Sequence, residues 1–247
     1  MIKNKVAIIT GGSRGIGRAI ARKYAENGAS LLLVALHRER LLRAQEEICK
    51  ISKYVDILPG DIAEPSFSQS IVTRTIELFG TIDVLVNCAG IITRTPVDHL
   101  GLEEWHRVIN VNLHGAFYLS QAVLPIFCAK KAGKIINITS QMAKLPHPNA
   151  SPSYEVSKAG LVSLTRHLAF HYARYNICVN AIAPGSIDTD LPKSMTIEAR
   201  QRLRKAIPLG RLGEPEEVGE LAVFLASNRS DYITGATINI SGGSLMD

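Results

Sequence analysis

Thr10-Gly11-Gly12-Ser13-Arg14-Gly15-Ile16-Gly17 is the stretch on which the fold turns. Ahead of it, Lys5 to Thr10 (KVAIIT) is short and apolar, as a buried strand is. Behind it, Ile16 to Asn27 has helical periodicity and stops at Gly28, a C-terminal cap. Three glycines spaced G-x-x-x-G-x-G allow a tight turn and close helix–strand packing. They also let backbone N–H groups approach a pyrophosphate. A glycine turn alone could serve any tight connection. Between the first strand and first helix of an alternating chain, it points to a dinucleotide.

The alternation continues outward. SLLLVAL (30–36), YVDILP (54–59), IDVLVN (82–87), KIINIT (134–139), ICVNAIA (177–183) and 236–240 read as strands. Helices are expected over Glu39 to Ile51, 66–79, Glu103 to Lys130 and 153–175. Apolar strands separated by helices indicate an α/β, doubly wound parallel sheet of about seven strands with helices on both faces. The rhythm runs to the end, so 1–247 reads as one domain, both dinucleotide-binding and catalytic. Chemistry is expected at the carboxyl ends of the strands.

Composition excludes several classes. The chain has 247 residues, 46% hydrophobic and 20% charged, which rules out wholesale disorder. Apolar runs such as Leu31 to Leu36 fall short of the ~18 residues that span a bilayer, so no membrane partner is expected. The N-terminus lacks the longer apolar region of a signal peptide. Cys49, Cys88, Cys128 and Cys178 are scattered singly and read as buried free thiols in a cytoplasmic setting. The net charge is +6 without a nucleic-acid-binding motif, so no nucleic acid is expected. Its clusters, Arg38/Arg40/Arg43, Lys130/Lys131/Lys134 and Arg200/Arg202/Arg204/Lys205, read as solvated helix faces or as contacts for an anionic molecule or acidic partner.

Asn87-Cys88-Ala89-Gly90 follows the fourth strand, and Asp61 follows the third, where a carboxylate could meet an adenine amino group or simply close a turn. Ser140 follows the fifth strand. Tyr154 and Lys158 stand four apart on a helix and project from one face. A free phenol, with a pKa of about 10, is a poor base at neutral pH, and a neighbouring ammonium stabilises its phenolate. Lowering it by about three units needs ~4 kcal/mol, within reach of a lysine plus a nicotinamide cation.

Together these residues resemble the short-chain dehydrogenase/reductase family over essentially the full length. The matching motifs are Thr10–Gly17, Asp61, Asn87–Gly90, Asn112, Ser140, Tyr154, Lys158, Pro184–Gly185, Thr189, Ile233-Thr234-Gly235 and Gly242-Gly243. The resemblance implies a Rossmann fold, a nicotinamide cofactor, a homotetramer and no metal. It implies that Tyr154 is the acid/base, that Ser140 polarises the carbonyl, and that Lys158 lowers the tyrosine pKa and holds the ribose. Asn112 would hold a water in a proton relay. Cofactor contacts would come from Gly11, Ser13, Arg14, Gly15, Ile16, Gly17, Asp61, Ile62, Asn87, Ala89, Gly90, Tyr154, Lys158, Pro184, Gly185, Ile187 and Thr189. Ser140 and Tyr154 lie 14 apart, one more than is common in the family; the extra residue is expected in the loop Lys144–Pro152.

Val34-Ala35-Leu36-His37-Arg38, at the end of the second strand, has no carboxylate for an NAD ribose. Arg14, with Arg38, could pair with a 2′-phosphate, which favours NADP over NAD. Leu36 stands where NADP-preferring relatives often carry arginine, a point for NAD. The tail Ile207 to Val218 is similar to 3-oxoacyl-carrier-protein reductases, and also to sugar, polyol and steroid dehydrogenases. The expected substrate is a small-molecule or carrier-protein-bound carbonyl, with Lys131 where those reductases contact the carrier. Leu191–Ile207 is expected to be a lid. A non-catalytic dinucleotide sensor is the reading from another class, and it has no need of Asn112, Ser140, Tyr154 and Lys158. His167 and His171 are four apart, but lack a third ligand and read as a helix face against a sister subunit. Trp105 reads as core.

Overall fold

The structure, a computed structural model, describes residues 1–147, 150–189 and 196–246. Seven strands form one parallel sheet: β1 (Val6–Thr10), β2 (Ser30–Ala35), β3 (Val55–Pro59), β4 (Val84–Asn87), β5 (Gly133–Ile138), β6 (Ile177–Pro184) and β7 (Thr237–Ile240). Their order is β3-β2-β1-β4-β5-β6-β7. The doubly wound reading is therefore correct. The order reverses between β1 and β4, so the turns leaving these two strands diverge and open a crevice.

Alternate residues of each strand supply the two faces. Ile9, Leu31, Leu33, Val84, Val86 and Ile136 pack under α1 (Gly15–Glu26), α2 (Arg38–Cys49) and the C-terminal helix Pro215–Ala226. Ile8, Leu32, Val34, Leu85, Ile135 and Val179 pack under α3 (Pro65–Phe79), α5 (Gly115–Lys130) and α6 (Pro152–Tyr172). Gly28 closes α1 with φ +83°, a conformation that glycine adopts without strain.

The helical run expected over 103–130 is present, with a π-turn in its middle. α4 (Leu102–Ile109) passes through a π-turn, Asn110–His114, before α5 begins. The whole run Leu102–Lys130 is long and apolar enough to cross a membrane, but Leu119, Val123 and Phe127 lie fully buried against the sheet. Among the described residues, two α-helices have no counterpart in the sequence expectations. α7 (Ile197–Lys205) lies within the expected lid, whose first part, Leu191 to Met195, is outside the described residues. α8 (Pro215–Ala226) opens with a capping box between Glu214 and Glu217, which Arg211 reinforces from the side. Burial departs from expectation at Cys49, Cys88, Cys128 and Trp105, Cys88 and Cys128 being half-buried. Cys178 is the buried thiol, Cys49 is exposed, and Trp105 is half-buried, because α4 lies at the surface with Val108 as its buried residue.

Candidate active site

The glycine turn is built for close approach. Gly11 and Gly15 have φ +69° and +52°. A Cβ on Gly17 would lie 2.2 Å from the Gly11 carbonyl oxygen, and one on Gly11 would lie 2.9 Å from the Ala89 backbone. Turn, helix and the β4 loop thus meet with no room for side chains. Arg14 is the N-cap of α1 but supplies no capping side-chain bond, and the first turn carries no acidic residue. The N–H groups of Gly15, Ile16 and Gly17 remain for an anion at the positive end of the helix. These features fit a dinucleotide pyrophosphate. At the end of β2, Leu36 is 60% exposed, and His37, the N-cap of α2, makes no side-chain capping bond.

Thr10, which sequence reasoning left without a role, fastens the crevice. Its hydroxyl accepts from the N–H groups of Cys88 (3.0 Å) and Ala89 (3.1 Å), so the β4 turn follows the glycine turn. The Asn87 side chain is buried, its Oδ1 without a partner among the described residues. Its Nδ2 donates to Ser120 Oγ (3.1 Å) and Asn137 Oδ1 (2.8 Å), within a buried network that ties β4 to β5 and α5. Asp61 caps a turn, its Oδ1 accepting from Ala63 N–H at 2.9 Å. Ile62 packs under Gly115, where an added Cβ would lie 2.8 Å from its Cδ1. Gly185, Ile187 and Thr189 leave β6 beside the glycine turn, and a Cβ on Gly15 would lie 3.4 Å from Thr189.

Ser140, Tyr154 and Lys158 come together as the spacing predicts. Ser140 Oγ accepts from Met142 N–H at 3.1 Å and hydrogen-bonds the Tyr154 phenol. Lys158 is buried, donates to the Ile138 carbonyl at 2.9 Å, and has Nζ 5.9 Å from the Tyr154 ring centre. Burial lowers its pKa to about 8, with the Cys88 thiol opposing. Burial likewise raises the Cys88 thiol to about 12.

The surroundings of Tyr154 within the chain push its phenol upward, against the lowering that the sequence expects from a lysine plus a nicotinamide cation. Burial raises its pKa, and the Ser140 hydrogen bond offsets only part of that. The phenol stays protonated, the form that donates to a developing alkoxide.

Asn112 lies in the π-turn, fully buried. Its Oδ1 accepts from Ile91 N–H (2.8 Å), and its Nδ2 donates to Ile91 O (2.9 Å) and Ser157 Oγ (3.0 Å). Both amide hydrogens are engaged, so the side chain has none left to offer a relay water. A Cβ on Gly90 would press on Asn112 Oδ1 and Lys158 Nζ at 3.3 and 3.4 Å.

The basic clusters are thinner than the sequence suggests. Lys130 donates to Thr81, Ile82 and Asp83, and Lys134 pairs with Asp231. Arg200 pairs with Asp188. Lys131, Arg202, Arg204 and Lys205 remain exposed.

The family model described as enoyl-(acyl carrier protein) reductase matches residues 11–244. The 3-oxoacyl-[acyl-carrier-protein] reductase FabG of Thermotoga maritima is 36% identical over 242 residues, covering 98% of each chain. A short chain dehydrogenase from Bacillus anthracis superposes with a TM-score of 0.91 at 34% identity, covering 100% of this chain and 99% of its own. A putative gluconate dehydrogenase from Agrobacterium tumefaciens superposes with a TM-score of 0.94 at 32% identity, covering 100% and 98%.

Proposed function

This chain belongs to the short-chain dehydrogenase/reductase family, and we propose that within it the chain reduces the ketone of a 3-oxoacyl thioester carried on an acidic carrier protein. It is an oxidoreductase of CH–OH and C=O groups that works with a nicotinamide dinucleotide. The observation that carries the catalytic reading is Ser140 hydrogen-bonded to Tyr154, with the buried Lys158 ammonium behind the ring.

When bound, the reduced nicotinamide supplies the hydride that the carbonyl carbon accepts. Ser140 has one lone pair occupied by Met142 N–H, which turns its own O–H toward the carbonyl oxygen. Tyr154 gives its phenolic proton to that oxygen as negative charge develops there, and the resulting phenolate is stabilised by the Lys158 ammonium. Asn112 holds the π-turn, Ile91 and Ser157 in place. Gly11, Ser13, Arg14, Gly15, Ile16 and Gly17 would hold the pyrophosphate, and Asp61 with Ile62 the adenine. Ala89, Gly90, Tyr154 and Lys158 would border the nicotinamide ribose, and Pro184, Gly185, Ile187 and Thr189 its amide.

NADP is the preferred cofactor in this reading. The end of β2 lacks a carboxylate, and Arg14 is exposed at the N-cap of α1, where a 2′-phosphate could reach it. A single domain over 1–247, a cytoplasmic setting and a homotetramer accompany the proposal. Four free thiols and a 82% exposed Phe170 on α6 support the last two.

The relatives named as 3-oxoacyl-[acyl-carrier-protein] reductases support the substrate, as do the exposed cations Lys131, Arg202, Arg204 and Lys205. A basic rim would steer an acidic carrier and raise its on-rate. The likeness to a putative gluconate dehydrogenase favours a second reading, a small sugar or polyol alcohol. A panel of 3-oxoacyl thioesters, sugars, polyols and steroid ketones, followed by NADPH and NADH absorbance, separates the two. Turnover of a sugar or polyol far above that of every thioester would replace the first reading with the second.

A further inference from the structure

Tyr154 is held through its backbone as well as its side chain, by hydroxyl groups that touch no reacting atom. Ser151, fully buried, is the N-cap of α6. Its Oγ lies 2.6 Å from Thr93 Oγ1 and 2.8 Å from Ser153 Oγ, and it accepts from Tyr154 N–H at 3.4 Å. A hydroxyl offers one hydrogen and two lone pairs, so these contacts fill its capacity. Tyr154 stands three residues into the helix, and its N–H is shared between the Ser151 carbonyl at 3.1 Å and this cap hydroxyl, both held by the same residue. At its other end, the Tyr154 carbonyl accepts from Ser157 O–H at 2.7 Å, and Ser157 in turn is held by Asn112.

The two grips meet in the segment after β4. Asn112 clasps Ile91, two residues before Thr93, and Thr93 holds Ser151. A closed ring therefore runs from Asn112 through Ile91, Thr93, Ser151, Tyr154 and Ser157 back to Asn112. We infer that Thr93 and Ser151 are positioning residues, whose hydroxyls fix the first turn of α6 so that the Tyr154 phenol stays aligned with Ser140. The fold does not depend on the Thr93 hydroxyl to join these segments. Ser151 N–H already donates to the Thr93 carbonyl at 3.0 Å, a main-chain bond that survives any substitution of the side chain. What the hydroxyl adds is a fixed direction for the Ser151 cap. This inference rests on the reading of Tyr154 as the acid/base.

Thr93→Val keeps the shape and the main-chain bond while deleting the hydroxyl. A misplacement of about an ångström at a reacting group can cost ~10²-fold, so kcat is expected to fall by roughly ten- to a hundredfold. KM for the ketone, NADPH affinity by fluorescence titration, and Tm should stay unchanged. Thr93→Ser should restore kcat, and in a Tyr154→Phe background Thr93→Val should lower the residual rate no further. An unchanged kcat in Thr93→Val would overturn the inference. So would a loss that Thr93→Ser fails to restore, a change in KM alone, or an equal loss in the Tyr154→Phe background. Wild-type turnover by Tyr154→Phe is the separate outcome that removes the acid/base reading and this inference with it.

Discussion

Replacing Lys158 by Met is expected to raise the thermal stability of the protein while abolishing turnover. Lys158 is 4% exposed, and its ammonium donates to the Ile138 carbonyl. Burial brings its pKa from an ordinary 10.5 to about 8. Below about 8 the lysine is charged in both the folded and the unfolded chain, so the full cost of burying the charge is present. Between about 8 and 10.5 the folded protein gives up the proton before the unfolded chain does, and the cost fades as pH rises. At ~1.4 kcal/mol per tenfold, that cost is roughly 3 kcal/mol at neutral pH.

Methionine fills a similar space without charge, and leaving the Ile138 carbonyl without this donor returns about 1–2 kcal/mol. The net gain of ~1–2 kcal/mol corresponds to a rise in Tm of ~2–8 °C for a chain of this size. Scanning calorimetry of wild type and Lys158→Met, both without cofactor, at pH 7 and pH 10, measures it. The gap should be wide at pH 7 and narrow at pH 10. A variant that melts below wild type at pH 7, or a gap independent of pH, would refute the reasoning.

Tyr154→Phe removes the proton donor and keeps the ring, so kcat should drop by ~10²–10⁴-fold in steady-state assays while NADPH binding, measured by fluorescence, survives. Arg14→Ala should weaken NADPH by ~1.5–3 kcal/mol more than NADH, the value of a hydrogen bond to a charged group. Equal losses in calorimetric titrations would show that Arg14 only supports the turn. Lys131→Glu should lower kcat/KM for a carrier-bound thioester and flatten its salt dependence, leaving a short neutral thioester unaffected. A parallel response of both substrates would argue against steering.

The parts of the fold set by local pattern were legible in the residues. Apolar runs such as Val6–Thr10 and Ser30–Ala35 announce buried parallel strands, and Gly28 announces the end of α1. α8 escaped that reading although Glu214 and Glu217 carry its cap, because its signal is two side-chain-to-backbone bonds at the entry. The π-turn at Asn112 was hidden inside a continuous apolar periodicity. It is held by Asn112 reaching Ile91, a contact between segments that no local pattern records.

The same distinction runs through the site. Ser140, Tyr154 and Lys158 were legible because strand ends and the four-residue helical spacing place them. The engagement of Lys130, Lys134 and Asn87 within the fold was not. Lys130 meets Asp83 across 47 residues, Lys134 meets Asp231 across 97, and Asn87 meets Asn137 across 50. The direction of the Tyr154 pKa also depended on burial, which the Tyr-x-x-x-Lys spacing does not report.

The central claim is the reduction of a carrier-bound 3-oxoacyl thioester, and the most direct measurement follows NADPH absorbance with that substrate while the product is identified by mass spectrometry. NADPH should be consumed mole for mole as the 3-hydroxyacyl thioester forms, with Tyr154→Phe as the silent control. NADPH that stays unoxidised over the thioester, while a sugar or polyol is oxidised readily by the same preparation, would contradict it.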